Sequence, residues 1–596
     1  MSDAYMRALR GVPHGPRIDI TFDALSLELT VPVADSGITN IAAATARFFT
    51  APFTRTKTRQ LNALSGVTGS IRSGTSTLVL GNGGGGKTSL LRRLAARDGP
   101  GTGAPGKFGG TVLWNGEAPP KSASKIAAFA PQIDIHEPLL TVRETLAFAA
   151  ASCLAPLPAD ASPEEVSLRE KIVDHVLDTL ELRECENVIL GDELKRGVSG
   201  GQKKRVTLGE ALLQGSRVLV LDEITNGLDS ATATKIIVFL SDWARATGGT
   251  VITALQAPTP EIFRAFDDVL VLSDGHLLYH GPPSKLNEYL AVRGYTCPSY
   301  MDIADYALAL AVSPSYVLTA FPASVGSPVA TATTREALAA EWLAVKPGAS
   351  NAGSLSLGGV ALASPRDVAQ FGHPYALSAF RHMSLLVSRQ TKIVIRNPAI
   401  SFGRVFQFIL LGAIFGSVYY KIGVDNFITK VRTPPFRMPR ALNRKLTPPF
   451  SPARAPQMSL AIFACSAVSF ASFAEIPVIF TGKRVAAKQL DGGFFPPVAF
   501  VLSVIVNSLP AALLSTFIFA TIMYWMVGFA DDAGRYFFFV LALVAHEQAT
   551  SALFRLYAFL LPSEELTQAA AGISTGSLLI FGGFYIAYPK IPAFMW

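Results

Sequence analysis

The feature that most limits what this chain can fold into is a series of long apolar stretches in its last third. Five have membrane-crossing length, at about 402–420, 458–480, 497–527, 536–561 and 569–587. Crossing a bilayer takes ~20 apolar residues, more than an ordinary buried core helix offers. Each stretch therefore reads as a transmembrane helix, with Pro510 placed to kink the third. Composition agrees: charged residues are 16% of the chain against ~25% in an average soluble protein, and mean hydropathy is +0.35.

Charge gives the orientation. Arg381, Arg389, Lys392 and Arg396 precede the first stretch, so its N-terminal end is expected in the cytosol. Lys483, Arg484 and Lys488 lie between the second and third, on the same side. The segment 421–456 breaks this rule. It holds eight basic residues against one acid, Asp425, and so carries nearly all of the chain's net +8. It also repeats Thr-Pro-Pro-Phe, at 433–436 and 447–450. It reads as a disordered basic, Pro-rich insertion of the kind a retained intron leaves. With the charge confined there, no nucleic-acid-binding face is expected.

The four cysteines, Cys153, Cys185, Cys297 and Cys465, have neither the spacing of a zinc site nor that of a disulfide framework, and read as free thiols. The first twenty residues hold no apolar run of signal-peptide length, so the N-terminus is expected to stay in the cytosol.

Before residue 380 the pattern changes to short apolar runs alternating with helical periodicity, the rhythm of an α/β domain. The runs 76–80 and 218–221 read as buried parallel strands. Directly after the first comes Gly81-Asn82-Gly83-Gly84-Gly85-Gly86-Lys87-Thr88, followed by Ser89 and a helical run. Glycines let such a loop turn its N–H groups inward onto phosphate oxygens, and the helix that follows adds the positive end of its dipole. Lys87 is then expected on the β- and γ-phosphates of ATP, and Thr88 on Mg²⁺. The second run ends in Asp222 and Glu223, the first suited to hold Mg²⁺ through water and the second to orient or deprotonate the attacking water. Between the two lies Ser199-Gly200-Gly201-Gln202, where Ser199 and Gln202 have capping-box spacing at the start of a helix.

These residues resemble ATP-binding-cassette (ABC) transporters. Ser199-Gly200-Gly201-Gln202 is similar to their signature, Gln132 to their Q-loop, and Gly227-Leu228-Asp229-Ser230 to their D-loop. The resemblance implies that Gln132 joins Mg²⁺ and the attacking water. It also implies that Ser199, Gly200, Gly201, Gln202 and Asp229 meet nucleotide across a pair of cassettes. A cassette ahead of the membrane domain resembles the G subfamily. Arg196–Thr207, Asp222–Ser230 and Leu255-Gln256 resemble the first half of its pleiotropic-drug-resistance branch, as do Glu475-Ile476-Pro477 and Arg555. Gln256 stands where most cassettes carry a histidine that contacts the γ-phosphate, which implies slow turnover at this site.

The expected architecture is an α/β P-loop cassette followed by an all-α membrane domain of the type-2 exporter kind. The expected boundaries are a tail at 1–17, the cassette at 18–300, a mobile linker at 301–375, an amphipathic connecting helix at 376–398, and a membrane domain at 399–596. The expected partners are a second ABC half, the lipid bilayer (plasma membrane) and an apolar small-molecule or lipid substrate. The resemblance further implies that the chain stops before a sixth span. Asp134 with His136 has the look of a metal pair, but the resemblance implies instead a loop that contacts the membrane domain. His546, Glu547 and Gln548 put ionisable groups inside the fourth span, where pairing within the helix bundle or a place near an interface is expected over a substrate contact.

Overall fold

The computed structural model describes residues 17–32, 58–97, 106–120, 122–154, 162–320, 334–345, 375–420, 455–529 and 531–581. The tail at 1–16, nearly all of the basic insertion and the residues after 581 lie outside these, as does the junction at 346–374. The chain divides into two compact units: residues 1–378 with 489–496, and residues 379–488 with 497–596.

The first unit is α/β. Its strands are β1 (Ile20–Pro32), β2 (Thr58–Ile71), β3 (Ser76–Gly81), β4 (Gly106–Trp114), β5 (Ala127–Ala130), β6 (Val218–Asp222), β7 (Thr250–Ala254), β8 (Asp268–Ser273) and β9 (His276–Gly281). An antiparallel sheet has the order β2-β1-β4, and a larger sheet has the order β5-β6-β7-β3-β8-β9. In the larger sheet only β9 runs antiparallel. The strands β3, β6, β7 and β8 are buried at every position, as near-continuous Val/Leu/Ile runs require when both faces are covered. Helix α1 (Lys87–Leu94) places Leu90, Leu91 and Leu94 in a core with Val79, Val220 and Ile252. Helices α2 (Val142–Cys153), α3 (Gly200–Leu213) and α4 (Ser230–Thr247) complete the frame of the site. Because β3, β5, β6 and β7 are parallel, the loops leaving their C-terminal ends gather at one edge, where open α/β sheets bind ligands.

The boundary at 300 falls short. Helix α5 (Ile303–Val312) buries Tyr306, Leu310 and Ala311, and the hydroxyl of Ser273 on β8 donates to the Ala311 carbonyl. A further helix spans Pro314–Ala320, and α6 (Arg335–Val345) packs Trp342 against Tyr279 of β9 and Tyr289. Part of the segment expected as linker at 301–375 is thus helix, held by contacts to β8 and β9.

The second unit is helical: α7 (Ala379–Arg396), α8 (Pro398–Val418), α9 (Ala455–Ala471), α10 (Glu475–Asp491), α11 (Pro497–Val527), α12 (Ala533–Leu560) and α13 (Glu564–Phe581). Three stretches among the described residues are long and apolar enough to cross a membrane: Leu460–Asp491, Pro497–Val527 and Ala533–Leu560. Phe402–Val418 is a shorter apolar helix. The break expected after 480 is absent, since a 3-10 turn at Ser472–Ala474 joins α9 to α10 and the basic residues 483–488 are helical. Pro510 lies inside α11, which continues through it. Gly412 and Gly416 let α8 approach α11 closely, and a Cβ on Gly416 would lie 2.8 Å from the Met526 sulfur. Small residues four apart do this work where lipid removes the hydrophobic drive between helices. Outward apolar side chains such as Phe402, Phe406, Phe538 and Leu541 suit a lipid surface.

Candidate functional site

The loop between β3 and α1 is shaped by two glycines that nothing larger could replace. A Cβ on Gly81 would lie 2.5 Å from the Leu272 carbonyl of β8. Gly86, at φ 93°, caps α1, and a Cβ there would lie 2.3 Å from the Ala63 carbonyl. Asn82 is tied down by its amide, which donates to Asp274 at 2.8 Å. Asp274 also pairs with Arg335 at the start of α6. Gly83 and Gly84 have open space where a side chain would go.

Lys87 is buried, and its ammonium donates back to the Gly81 and Asn82 carbonyls at 2.7 and 2.9 Å. Burial pushes this lysine below its ordinary pKa, while the Glu223 and Asp222 carboxylates pull it back up. The Thr88 hydroxyl donates to Asp222 Oδ2 at 2.7 Å. Burial raises the Asp222 pKa, the Thr88 hydrogen bond opposes this, and the neighbouring Glu223 charge adds to it. Asp222 Oδ1 is buried and accepts no hydrogen bond among the described residues. The Thr88 hydroxyl and the Asp222 carboxylate, one of whose oxygens is buried and orphaned, are the hard-oxygen donors that Mg²⁺ takes. The residues fit that ion.

Glu223 follows β6 with φ 52°, a left-handed backbone rare for a side chain of its size. Its own carboxylate is buried, yet three exposed amides converge on it. Gln132, Asn226 and Gln256 each donate to the single oxygen Oε2 at 2.7 Å. Gln132 and Gln256 arrive from just beyond β5 and β7, the strands flanking β6, and Asn226 from the turn after Glu223. Asn226 is the residue that sequence reasoning passes over. The signal available was a short amide three residues past an acidic pair.

Ser199 caps α3 in a complete capping box: its hydroxyl accepts from the Gln202 backbone N–H, and Gln202 Oε1 accepts from the Ser199 N–H at 2.8 Å. Ser199, Gly200, Gly201, Lys204 and Asp229 line a cavity of about 670 Å³ that Gln132 and Asn226 also border. Asp229 caps α4 by accepting from the Thr232 N–H. Among the described residues no hydrogen bond or ion pair joins Ser199–Gln202 or Asp229 to the loop at 81–89 (Gly81 to Ser89). The structure thus groups the predicted residues into a P-loop and carboxylate cluster and a signature cavity, which share Gln132 as a border. Asp134 pairs with Lys204 at 3.1 Å and accepts from Thr207 at 2.6 Å, while His136 lies 2.9 Å from Thr207 and 3.5 Å from Glu210. These contacts fix the Gln132 loop on α3.

The membrane unit holds a second constellation. Glu475 bridges Arg404 at 2.9 Å and Arg555 at 3.0 Å, and Glu547 pairs with Arg404. Ser551 donates to Glu547, and Ser508 accepts from Arg555. Two arginines and two glutamates close a neutral, largely buried network across α8, α10, α11 and α12. His546 lies beside it, 2.8 Å from Ser469. Arg404 escapes a reading by motif, although a lone arginine inside an apolar stretch is itself a sign of pairing.

The ABC transporter family pattern matches residues 64–226, and the ABC-2 type transporter pattern matches 381–596. The chain thus carries an ABC transporter cassette pattern ahead of an ABC-2 type transporter membrane pattern. Its homologues are G-family transporters, a pleiotropic drug resistance protein among them. ABC transporter G family member 44 of Oryza sativa subsp. japonica is 28% identical over 97% of this chain and 40% of its own length. Pleiotropic drug resistance protein TUR2 of Spirodela polyrhiza is 29% identical over 90% of this chain and 37% of its own. The chain thus spans about two fifths of the length of these relatives. A solved ATP-binding cassette, a post-hydrolysis dimer with ADP and Pi, aligns with 44% of this chain and 98% of its own at 20% identity and a TM-score of 0.32.

Proposed function

We propose that this chain couples ATP binding and hydrolysis at its cassette to export of an apolar or amphipathic substrate through its membrane domain. The observation that carries the reading is one cluster at the ends of parallel strands: Lys87 in a glycine loop, Thr88 bonded to Asp222, and Glu223 beside them. On ATP binding, Lys87 exchanges its two carbonyl partners for phosphate oxygens, and the Gly83–Gly86 backbone surrounds the phosphate chain. Mg²⁺, held by Thr88 and Asp222 with Gln132 near by, would neutralise charge on the β- and γ-phosphates. Glu223 orients the attacking water and accepts its proton. The signature cavity, separate from this chain's own P-loop, suits nucleotide carried by a second cassette, so the working unit pairs this chain with another ABC half. The cassette is assigned to the cytosol and the membrane domain to the plasma membrane, with α8 and α13 completing five spans.

A second reading has one observation in its favour. Gln256 is an amide that can donate to Glu223 but cannot take up a proton. On that reading the chain supplies its Ser199 signature to a partner's site and hydrolyses little itself. Transport decides the main question. Inside-out vesicles carrying the full chain should accumulate a lipophilic cationic dye on ATP addition, and Lys87→Ala vesicles should not. Equal uptake by both would refute the coupling.

A further inference from the structure

We propose that Asn226 is a positioning residue for Glu223: with Gln132 and Gln256 it saturates one carboxylate oxygen and leaves the other to face the attacking water. The inference rests on the reading of Glu223 given above. A carboxylate has about two acceptor directions on each oxygen, and Oε2 already receives three amide donors at 2.7 Å. Oε1 accepts no hydrogen bond among the described residues. The terminal torsion of a glutamate is broad and roughly two-fold, so an unrestrained carboxylate exchanges its two oxygens freely. Filling one of them breaks that equivalence.

Asn226 has the shortest side chain of the three donors. Gln132 and Gln256 carry longer side chains and extend from exposed loops beyond β5 and β7. Asn226 has one fewer rotatable bond, and its backbone N–H donates to the Glu223 carbonyl at 3.3 Å. The same turn is closed by the Leu228 N–H on the Thr225 carbonyl at 3.1 Å. Asn226 is therefore held at a fixed offset from the side chain it restrains, so its donor loses little entropy on bonding. The positive φ of Glu223 contributes to the same end, aiming the side chain from a backbone that the Ala254 carbonyl also holds, at 3.0 Å. Asn226 further borders the signature cavity, so the restraint sits where that cavity meets the carboxylate.

The test uses the full chain in lipid nanodiscs, with steady-state ATP turnover and fluorescent-nucleotide affinity measured together. Removing one of three donors to a charged acceptor in Asn226→Ala should lower kcat roughly 3- to 10-fold, with KM and nucleotide affinity unchanged. Asn226→Asp, which keeps the shape but loses the donor, should fall at least as far. Asn226→Gln, which keeps the amide, should recover part of the loss. The proposal is overturned if Asn226→Ala turns over at the wild-type rate, if KM and affinity change in step with kcat, or if Asn226→Gln is as slow as Asn226→Ala. Should Asn226→Ala fail to fold, the Asp and Gln variants decide by the same criteria. Glu223→Gln separates the two claims. If it retains full turnover, the reading of Glu223 fails; if it is inactive while Asn226→Ala matches wild type, only the positioning role fails.

Discussion

Glu475 is the residue whose loss should most disturb the membrane unit. Its Oε1 accepts from Arg404 at 2.9 Å and its Oε2 from Arg555 Nε and Nη2 at 3.1 and 3.0 Å. In Glu475→Ala, Arg404 keeps Glu547, but Arg555 is left with Ser508 alone and the network changes from neutral to one excess positive charge. Breaking a buried ion pair from one side costs about 3–5 kcal/mol, because a charge remains without compensation. The assay is a heat challenge of the full chain in detergent, read as the monodisperse fraction by size exclusion. The midpoint of Glu475→Ala should fall by roughly 5–10 °C, taking a few degrees for each kcal/mol. Arg555→Ala should fall comparably, by leaving the two glutamates with one arginine. The double variant restores neutrality and should melt above the worse single variant. A double variant whose loss equals the sum of the two would refute the reasoning, since additivity means the groups do not interact.

Three further outcomes follow from the same geometry. A cysteine at Asp531 should react with an impermeant reagent from outside intact cells and one at Ala487 should not; the reverse would invert the topology read from the basic residues. Ser199→Arg should reduce ATPase in the full assembly more than Gln256→Ala does, because it fills the signature cavity while Glu223 keeps two of its three donors without Gln256; steady-state turnover of the two variants decides. Burial holds Asp222 above its ordinary pKa, with Glu223 adding to the shift, so the ionised form is a burden on the nucleotide-free fold at neutral pH. That burden is absent once the group is protonated and grows as pH rises above the unfolded carboxylate range. Asp222→Asn should therefore raise the apo melting temperature at neutral pH and abolish its Mg²⁺-ATP-dependent increase, as calorimetry with and without ligand would register.

The parts of the site that were legible in the sequence are those written in consecutive residues. The glycine loop at 81–86, the strand-ending pair Asp222-Glu223 and the capping box at Ser199–Gln202 each set local backbone geometry, and local geometry follows from local chemistry. What was not legible depends on residues that meet only after folding. Asn82 and Asp274 are 192 residues apart, and Arg404 reaches partners 71 and 143 residues away. Asn226 is close in sequence to Glu223, but asparagine in a turn already has a sufficient local reason, which masks the signal of its place three residues past the acidic pair. The Ala-rich helix at Ile303–Val312 has low sequence contrast, and only the exposed end of the sheet supplies a reason for it to fold there.

Glu223 is expected to be the group that converts bound ATP into turnover. The direct measurement is phosphate release by the full chain in lipid nanodiscs, wild type beside Glu223→Gln, with nucleotide binding followed on the same samples. Both should bind ATP, and only the wild type should release phosphate above background. Phosphate release by Glu223→Gln at the wild-type rate would contradict it.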